Sequence, residues 1–491
     1  MRPLAALDLA IVAVYLAGTT LLALWFVRRQ RDTRSYFVGD RDVAWWLVLV
    51  SIVATETSTV TFLSAPGLAY AQGGDLTFLQ LTFGYLLGRL VVSWLLLPQY
   101  LRGELFSAYQ LLRQRFDVRV QRLASAIFLG ARTVADGLRL LLTGLLVHQF
   151  TGWSEWLCIV VMAVTTIFYT YLGGMQAVIW TDLIQFTIYI LGALLAGWFM
   201  LGMLPGGWNE MIDIGQAAGK FTLFNLSTDP AQPFTLWAGL IGGAFVSMAS
   251  HGADHLMVQR YLCSRSLTQA RVALVASGVV VIAQFLLFLL IGVGLYALAQ
   301  SGQLDVPSGT GNDEVFGLFI INHLPTGLVG VIVAAVLAAA MSTLSSSLNS
   351  SAGAFVADFY RPLRPERGET HYLAVSRLMT LFWGVAQTAV ALAALWIGSP
   401  RSIINQVLTV ASMTTGLVLG LFLLGSMRRP VRSHAAVVGL GAGFLAVLSL
   451  WLPSTWGPTV LAWPWYAPLG AFVAFTWGYF LADRRERNPR P

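Results

Sequence analysis

Charge is scarce in this chain. Of its 491 residues only 11% are Asp, Glu, Lys or Arg, against 57% that are hydrophobic, and the mean hydropathy is +0.70. One soluble core cannot bury that much apolar surface, so a water-soluble globule is excluded and the chain reads as an integral membrane protein. Cysteine is almost absent: Cys158 lies in an apolar run and Cys263 in a polar connection, and they do not read as a disulfide. The histidines (His148, His251, His255, His323, His371 and His434) are scattered without ligand spacing, and no nucleophile with its base accompanies them, so an enzyme is not expected. No soluble domain, low-complexity linker or Gly-rich phosphate loop is visible, which argues against a receptor kinase or an ATP-driven pump. The alternating segments of a membrane barrel are missing too.

What is present is a series of apolar runs of about 20 residues, the length that spans a bilayer as helix. Thirteen are expected, at 7–27, 44–70, 76–99, 121–149, 154–172, 176–203, 234–259, 270–300, 325–358, 372–398, 403–426, 434–452 and 461–482. The first is too long for a signal-peptide core and has no small-residue cleavage site, so it reads as a retained helix. Basic residues gather in alternate connections, such as "RRQRDTRSYFVGDR", "RYLCSRSLTQAR" and the tail "RRERNPR". Lys and Arg mark the cytoplasmic side, which puts the N-terminus outside and the C-terminus inside an inner (plasma) membrane. The net charge of +7 then reflects topology, with the lipid bilayer and a small solute as partners, no nucleic acid and no obligatory protein partner.

Five places break the apolar rule, and polar groups at membrane depth mark ion or solute routes. In "SIVATETSTVTFLSAPGLAY", residues 51–70, hydroxyl residues loosen the helix and Pro66 with Gly67 hinders its continuation. A broken helix exposing carbonyls is expected; a continuous Ser/Thr-rich helix is the alternative. In "AAAMSTLSSSLNSSAGAF", residues 338–355, Ser342, Ser345, Ser346 and Asn349 share a helix face with Thr343 beside it, an oxygen density suited to a small cation such as sodium; a close-packing seam is the alternative. "GAFVSMASHGADHLMVQR" is a second interrupted segment five helices later, the pattern of an inverted-repeat transporter, although Asp254 and His255 could simply cap a helix end. Arg132 and Asp136 stand four apart and can pair, followed by Arg139, and Asp182 in "GGMQAVIWTDLIQF" needs a cation or donor unless it caps or snorkels.

In order and spacing these segments, with "SYFVGDRDVAWW" and "DHLMVQRYLCSRSLTQAR", resemble the sodium:solute symporter family over about residues 34–430. The resemblance implies the all-α LeuT-type fold of two inverted five-helix repeats. On it, residues 1–43 form an extra helix and loop, 44–203 the first repeat, 204–426 the second, and 427–491 two further helices and a basic tail. It implies a sodium site from the carbonyls of Ala54, Thr57 and Ala339 and the hydroxyls of Ser342 and Thr343. A second site, as in some members, would use Asp182, Ser342, Ser345 and Ser346, giving two sodium ions per cycle and no organic cofactor.

Solute contacts map by the same resemblance to Glu56, Ser58, Thr61, Gln80, Arg132, Asp136, Ser247, Ser250, His251 and Gln406. Sugar-transporting members carry a large aromatic where Ser250 stands, whereas sialic-acid-type members match at Ser58, Thr61, Gln80 and Arg132. Glu56 departs from the usual neutral residue: it could attract sodium, pair with Arg132, meet a solute ammonium or, if unpaired, carry a proton. The expected function is sodium-coupled import of a sugar, organic acid or amino acid by alternating access. A proton-coupled symporter of the same fold, or a passive channel, is the alternative.

Overall fold

The computed structural model describes residues 4–27, 32–102, 105–397, 403–427, 431–454 and 456–482, with the side chains of Val27 and 403–413 outside the description. Among them secondary structure is helical, apart from one isolated bridge between Val43 and Ser264. A helix satisfies its backbone polar groups internally, which is what hydrocarbon surroundings require. The principal helices are α1 (Ala6–Val27), α2 (Trp45–Glu56), α3 (Thr59–Tyr70), α4 (Leu79–Leu95), α5 (Val118–Thr151), α6 (Glu155–Met203) and α7 (Gly243–Gly252). They continue with α8 (His255–Leu262), α9 (Leu267–Gln300), α10 (Leu328–Phe355), α11 (Glu369–Ile397), α12 (Ile403–Gly425), α13 (Ser433–Ser454) and α14 (Tyr466–Phe480). By length and apolarity, six helices among the described residues can cross a membrane alone; the bent pair α2–α3 adds a seventh.

At 49 residues α6 would reach about 73 Å at 1.5 Å per residue, more than twice a hydrocarbon core of about 30 Å. Gly174 divides it: its φ of 57° and ψ of −163° suit glycine alone and fall where the sequence separates 154–172 from 176–203. The centre of the bundle is α10, with 83% of its apolar window buried, against 22–44% for the other five spans. That enclosure explains its composition. Its small residues let neighbours approach closely, and its hydroxyls lie where lipid cannot reach.

Two features outside the central helices shape the site. Lys220, in a connection after α6, is buried and donates from Nζ to the carbonyls of Ala69 (2.9 Å), Tyr70 (3.2 Å) and Ala71 (2.5 Å), closing the C-terminal end of α3 with positive charge. The turn Trp463–Trp465 between α13 and α14 packs on the π-helical turn Ala238–Gly242 that leads into α7. A Cβ at Gly242 would lie 2.7 Å from Pro464, so only glycine admits this approach.

Candidate ion and solute site

The first interrupted helix breaks at Thr57 and Ser58, where α2 and α3 meet at 66°. Pro66 lies inside α3, so the hydroxyl residues upstream make the break and the proline does not. Ser58 caps α3 by accepting from the Thr61 N–H at 3.4 Å. Thr57 donates to the Val53 carbonyl (2.8 Å) and accepts from Tyr189 Oη (3.2 Å) and Gln284 Nε2 (2.7 Å), which fixes the corner. The last carbonyls of any helix lack intrahelical partners. Here Thr57 takes that of Val53 and the Thr343 hydroxyl takes that of Thr55 at 3.1 Å. The carbonyls of Ala54 and Thr57 accept no hydrogen bond from beyond their helices among the described residues.

Opposite the break runs α10, whose Thr343 hydroxyl also approaches the Ala339 carbonyl at 3.4 Å. Ser342 turns to Asp182, donating to Oδ1 at 2.5 Å; Ser51 donates to Oδ2 at 2.5 Å. Asp182 also has a cation: the guanidinium of Arg260, fully buried, stands 3.4 Å from its carboxylate. Arg260 bonds the Ser51 carbonyl (3.2 Å) and hydroxyl (2.9 Å), Thr55 Oγ1 and Ser346 Oγ as well. Ser345 donates to the Ser342 carbonyl at 3.1 Å.

Beside the break lies a cavity of about 510 Å³. Its wall carries Glu56, Ser58, Thr61, Ser64, Arg132, Arg139, Ser247, Ser250, Asp254 and Thr343, with Phe78, Phe234, Phe285, Asp313 and Trp463 among the other lining residues. Arg132 joins Asp254, which also caps α8 through the Leu256 N–H (2.9 Å), and stands 3.7 Å from Asp136. Arg139 donates to Asp136 at 2.5 Å. Asp136 is buried and lines a smaller adjoining space with Ser58, Arg139 and Thr343; its Oδ2 has no hydrogen-bond partner among the described residues. Ser247 donates to the Tyr85 carbonyl at 2.8 Å.

Two residues named from the sequence, Gln80 and His251, sit elsewhere. Gln80 is absent from the cavity wall, its amide spent on the backbone of Thr77 (3.1 Å), Phe234 (3.2 Å) and Asn225 (3.2 Å). His251 is buried behind the wall, and Gln406 lies outside the described side chains. Glu56 pairs with Arg89 (2.5 and 2.7 Å) and His251 (2.7 Å), not with Arg132, and His251 Nδ1 meets Tyr261 Oη at 2.5 Å. Sequence reasoning missed Arg89 and Arg260. The signal for Arg89 was there, an ionisable residue in the middle of the apolar run "LQLTFGYLLGRLVVSWL".

The sequence and the fold have known counterparts. The family model "Sodium:solute symporter family" matches residues 36–443. The chain is 28% identical over 481 residues to a sodium/sialic acid symporter, NanT, of Aliivibrio fischeri, covering 96% of this chain and 92% of that one. It is 30% identical to the sodium/sialic acid symporter SiaT of Proteus mirabilis (90% and 89% covered), and 28% identical to the human sodium/iodide cotransporter (91% and 69%). Among solved structures, a substrate-bound, outward-open Na+-coupled sialic acid symporter superposes with a TM-score of 0.85 at 28% identity, covering 97% of both chains. A nucleobase-cation-symport-1 transporter shares the fold alone, with a TM-score of 0.57 at 13% identity. The chain belongs to the sodium:solute symporter family and is a sodium-coupled symporter of small solutes, not an enzyme.

Proposed function

We infer that the chain imports a small organic acid with sodium by alternating access, the ion at the break between α2 and α3 and the solute in the adjoining cavity. The observation that carries this reading is a shared wall. Ser58 and Thr343 line the cavity, while Ser58 caps the helix after the break and Thr343 holds a carbonyl before it. A ligand in either place alters the other, and such coupling is reciprocal. Sodium would take the unclaimed carbonyls of Ala54 and Thr57, the Ala339 carbonyl and the hydroxyls of Ser342 and Thr343, an all-oxygen set suited to a hard cation. Each sodium moving inward contributes about 2.3 kcal/mol per 100 mV of membrane potential.

The solute class follows from the donors. Arg132 and Arg139 line the cavity, and a guanidinium has five N–H groups, of which each uses only one in the hydrogen bonds described above. An acceptor-rich carboxylate fits those spare donors. Ser58, Thr61, Ser64, Ser247 and Ser250 would receive its polar body. Glu56 is already matched by Arg89 and His251, so it does not call for a solute ammonium. Relatives named for sialic acid and for monocarboxylates handle solutes of this class. A second sodium at Asp182, Ser342, Ser345 and Ser346 belongs only to a state in which the Arg260 guanidinium has moved aside. Thirteen spans in an inner membrane, with the N-terminus outside and the break-containing helices opening each repeat, complete the reading.

Uptake by proteoliposomes tests it. Sialic acids and monocarboxylates should accumulate against a gradient with imposed sodium, and lithium or choline at fixed pH should abolish uptake. Retained uptake in choline would make the coupling protonic, and dissipative flux would make the chain a channel.

A further inference from the structure

Remote from the break, where α10 runs on through the turn Val356–Tyr360 into the basic segment "RPLRPERGE", a carboxylate is buried without a counter-ion. Asp358 has no solvent exposure and makes no ion pair among the described residues. Its Oδ1 accepts from Ser107 Oγ and Gln121 Nε2, both at 2.7 Å, while Oδ2 has no hydrogen-bond partner among the described residues. Buried carboxylates without a compensating charge are costly, and an unpaired buried oxygen calls for an explanation. Two further oxygens stand beside it unused: Gln121 Oε1, and the Ser125 hydroxyl, which is within reach of the carboxylate but makes no hydrogen bond of normal geometry. Gln121 and Ser125 lie four apart on one face of α5.

We propose that Asp358, Gln121 and Ser125 bind one monovalent alkali cation, sodium, at a site separate from the break and buried at the basic end of the bundle. One carboxylate against one positive charge leaves the site neutral, and carboxylate, amide and hydroxyl oxygens suit a hard ion. Hydrogen bonds link the site to the cavity wall. Ser107 Oγ, donor to Asp358, accepts from the Tyr109 N–H at 3.1 Å; Tyr109 lines the cavity, and its hydroxyl accepts from the His255 N–H at 3.4 Å. A cation at Asp358 thus ties the end of α10 to α5. Binding of this cation does not depend on the transport reading.

The test counts radioactive sodium bound to the purified full-length chain in nanodiscs, for the unaltered protein, Asp358→Asn and Gln121→Leu. Each variant should bind one sodium fewer per chain, and the lost ion should be indifferent to added solute, whereas the ion at the break should not. Sodium-driven uptake by Asp358→Asn should keep its sodium half-saturation within about two-fold, a ratio under 0.5 kcal/mol. Ser125→Ala, which disturbs packing least, should weaken the solute-independent ion several-fold even where Asp358→Asn misfolds. An unchanged stoichiometry in the folded variants overturns the proposal. So does the infrared band of a protonated carboxyl that Asp358→Asn removes, since a proton would then be the occupant.

Discussion

The two interrupted helices are interrupted differently. At Thr57 and Ser58 the corner is held by hydroxyls and an amide, Tyr189, Gln284 and Thr343, and two carbonyls remain unclaimed. At Ala253 and Asp254 a carboxylate caps the second half-helix and binds Arg132 of α5. At the first corner the acid, Glu56, is already paired with Arg89 and the spare carbonyls can take up a cation; at the second the acid itself forms the cap and holds the guanidinium that faces the cavity. On the proposed reading, the first break accepts the ion and the second answers to the solute. Both touch the same cavity.

The largest effect should come from stripping the first break of its outer support. Arg89→Met leaves Glu56 in a mostly buried setting without its guanidinium, and losing one partner of such a pair costs about 3–5 kcal/mol. Thermal unfolding should record the loss, and Glu56→Gln in the same chain should recover most of it; no recovery would mean that Arg89 acts through packing alone. Next, Thr343→Val with Ser342→Ala removes both hydroxyls opposite the break. The sodium half-saturation for uptake should rise by about ten-fold or more, equivalent to about 1.4 kcal/mol. An unchanged value removes α10 from the ion site.

Asp254→Asn addresses the second break. It keeps a capping oxygen but no charge for Arg132, so the apparent affinity for a carboxylate solute should change a few-fold while sodium half-saturation stays put. A sodium shift larger than the solute shift would erase the distinction between the breaks. The smallest effect concerns Asp313, on the cavity wall. Burial first, and then neighbouring Glu314, raise the carboxyl of Asp313 above its ordinary range. A raised folded-state pKa adds stability below the unfolded value and loses it as pH rises through the folded one. Asp313→Asn should flatten that acid-side gain in unfolding temperature and leave neutral-pH uptake nearly unchanged.

How much of this was legible beforehand divides along one line. Helix positions, the break in "TETSTV" and the hydroxyl face of α10 follow from local chemistry, which the sequence displays residue by residue. Partners across the bundle do not. Asp182 reads as a lone acid until α8 brings Arg260 beside it, and Glu56 finds Arg89 thirty-three residues on because two helices pack that way. Gln80 resembles a solute contact in its motif, yet the neighbouring backbone of Phe234 and Asn225 claims its amide first. Pro66 misled in the opposite sense: a helix breaker by composition, it rides inside α3 while the hydroxyls ahead of it make the turn.

Trp463 gives the chain a second place at which to vary. It reaches the cavity from a turn between α13 and α14, through a gap that Gly242 keeps open for Pro464, on an element separate from α2, α3 and α10. If the cavity holds the solute as proposed, selection acting on that turn can retune which molecule is carried and leave the helix break between α2 and α3 as it is.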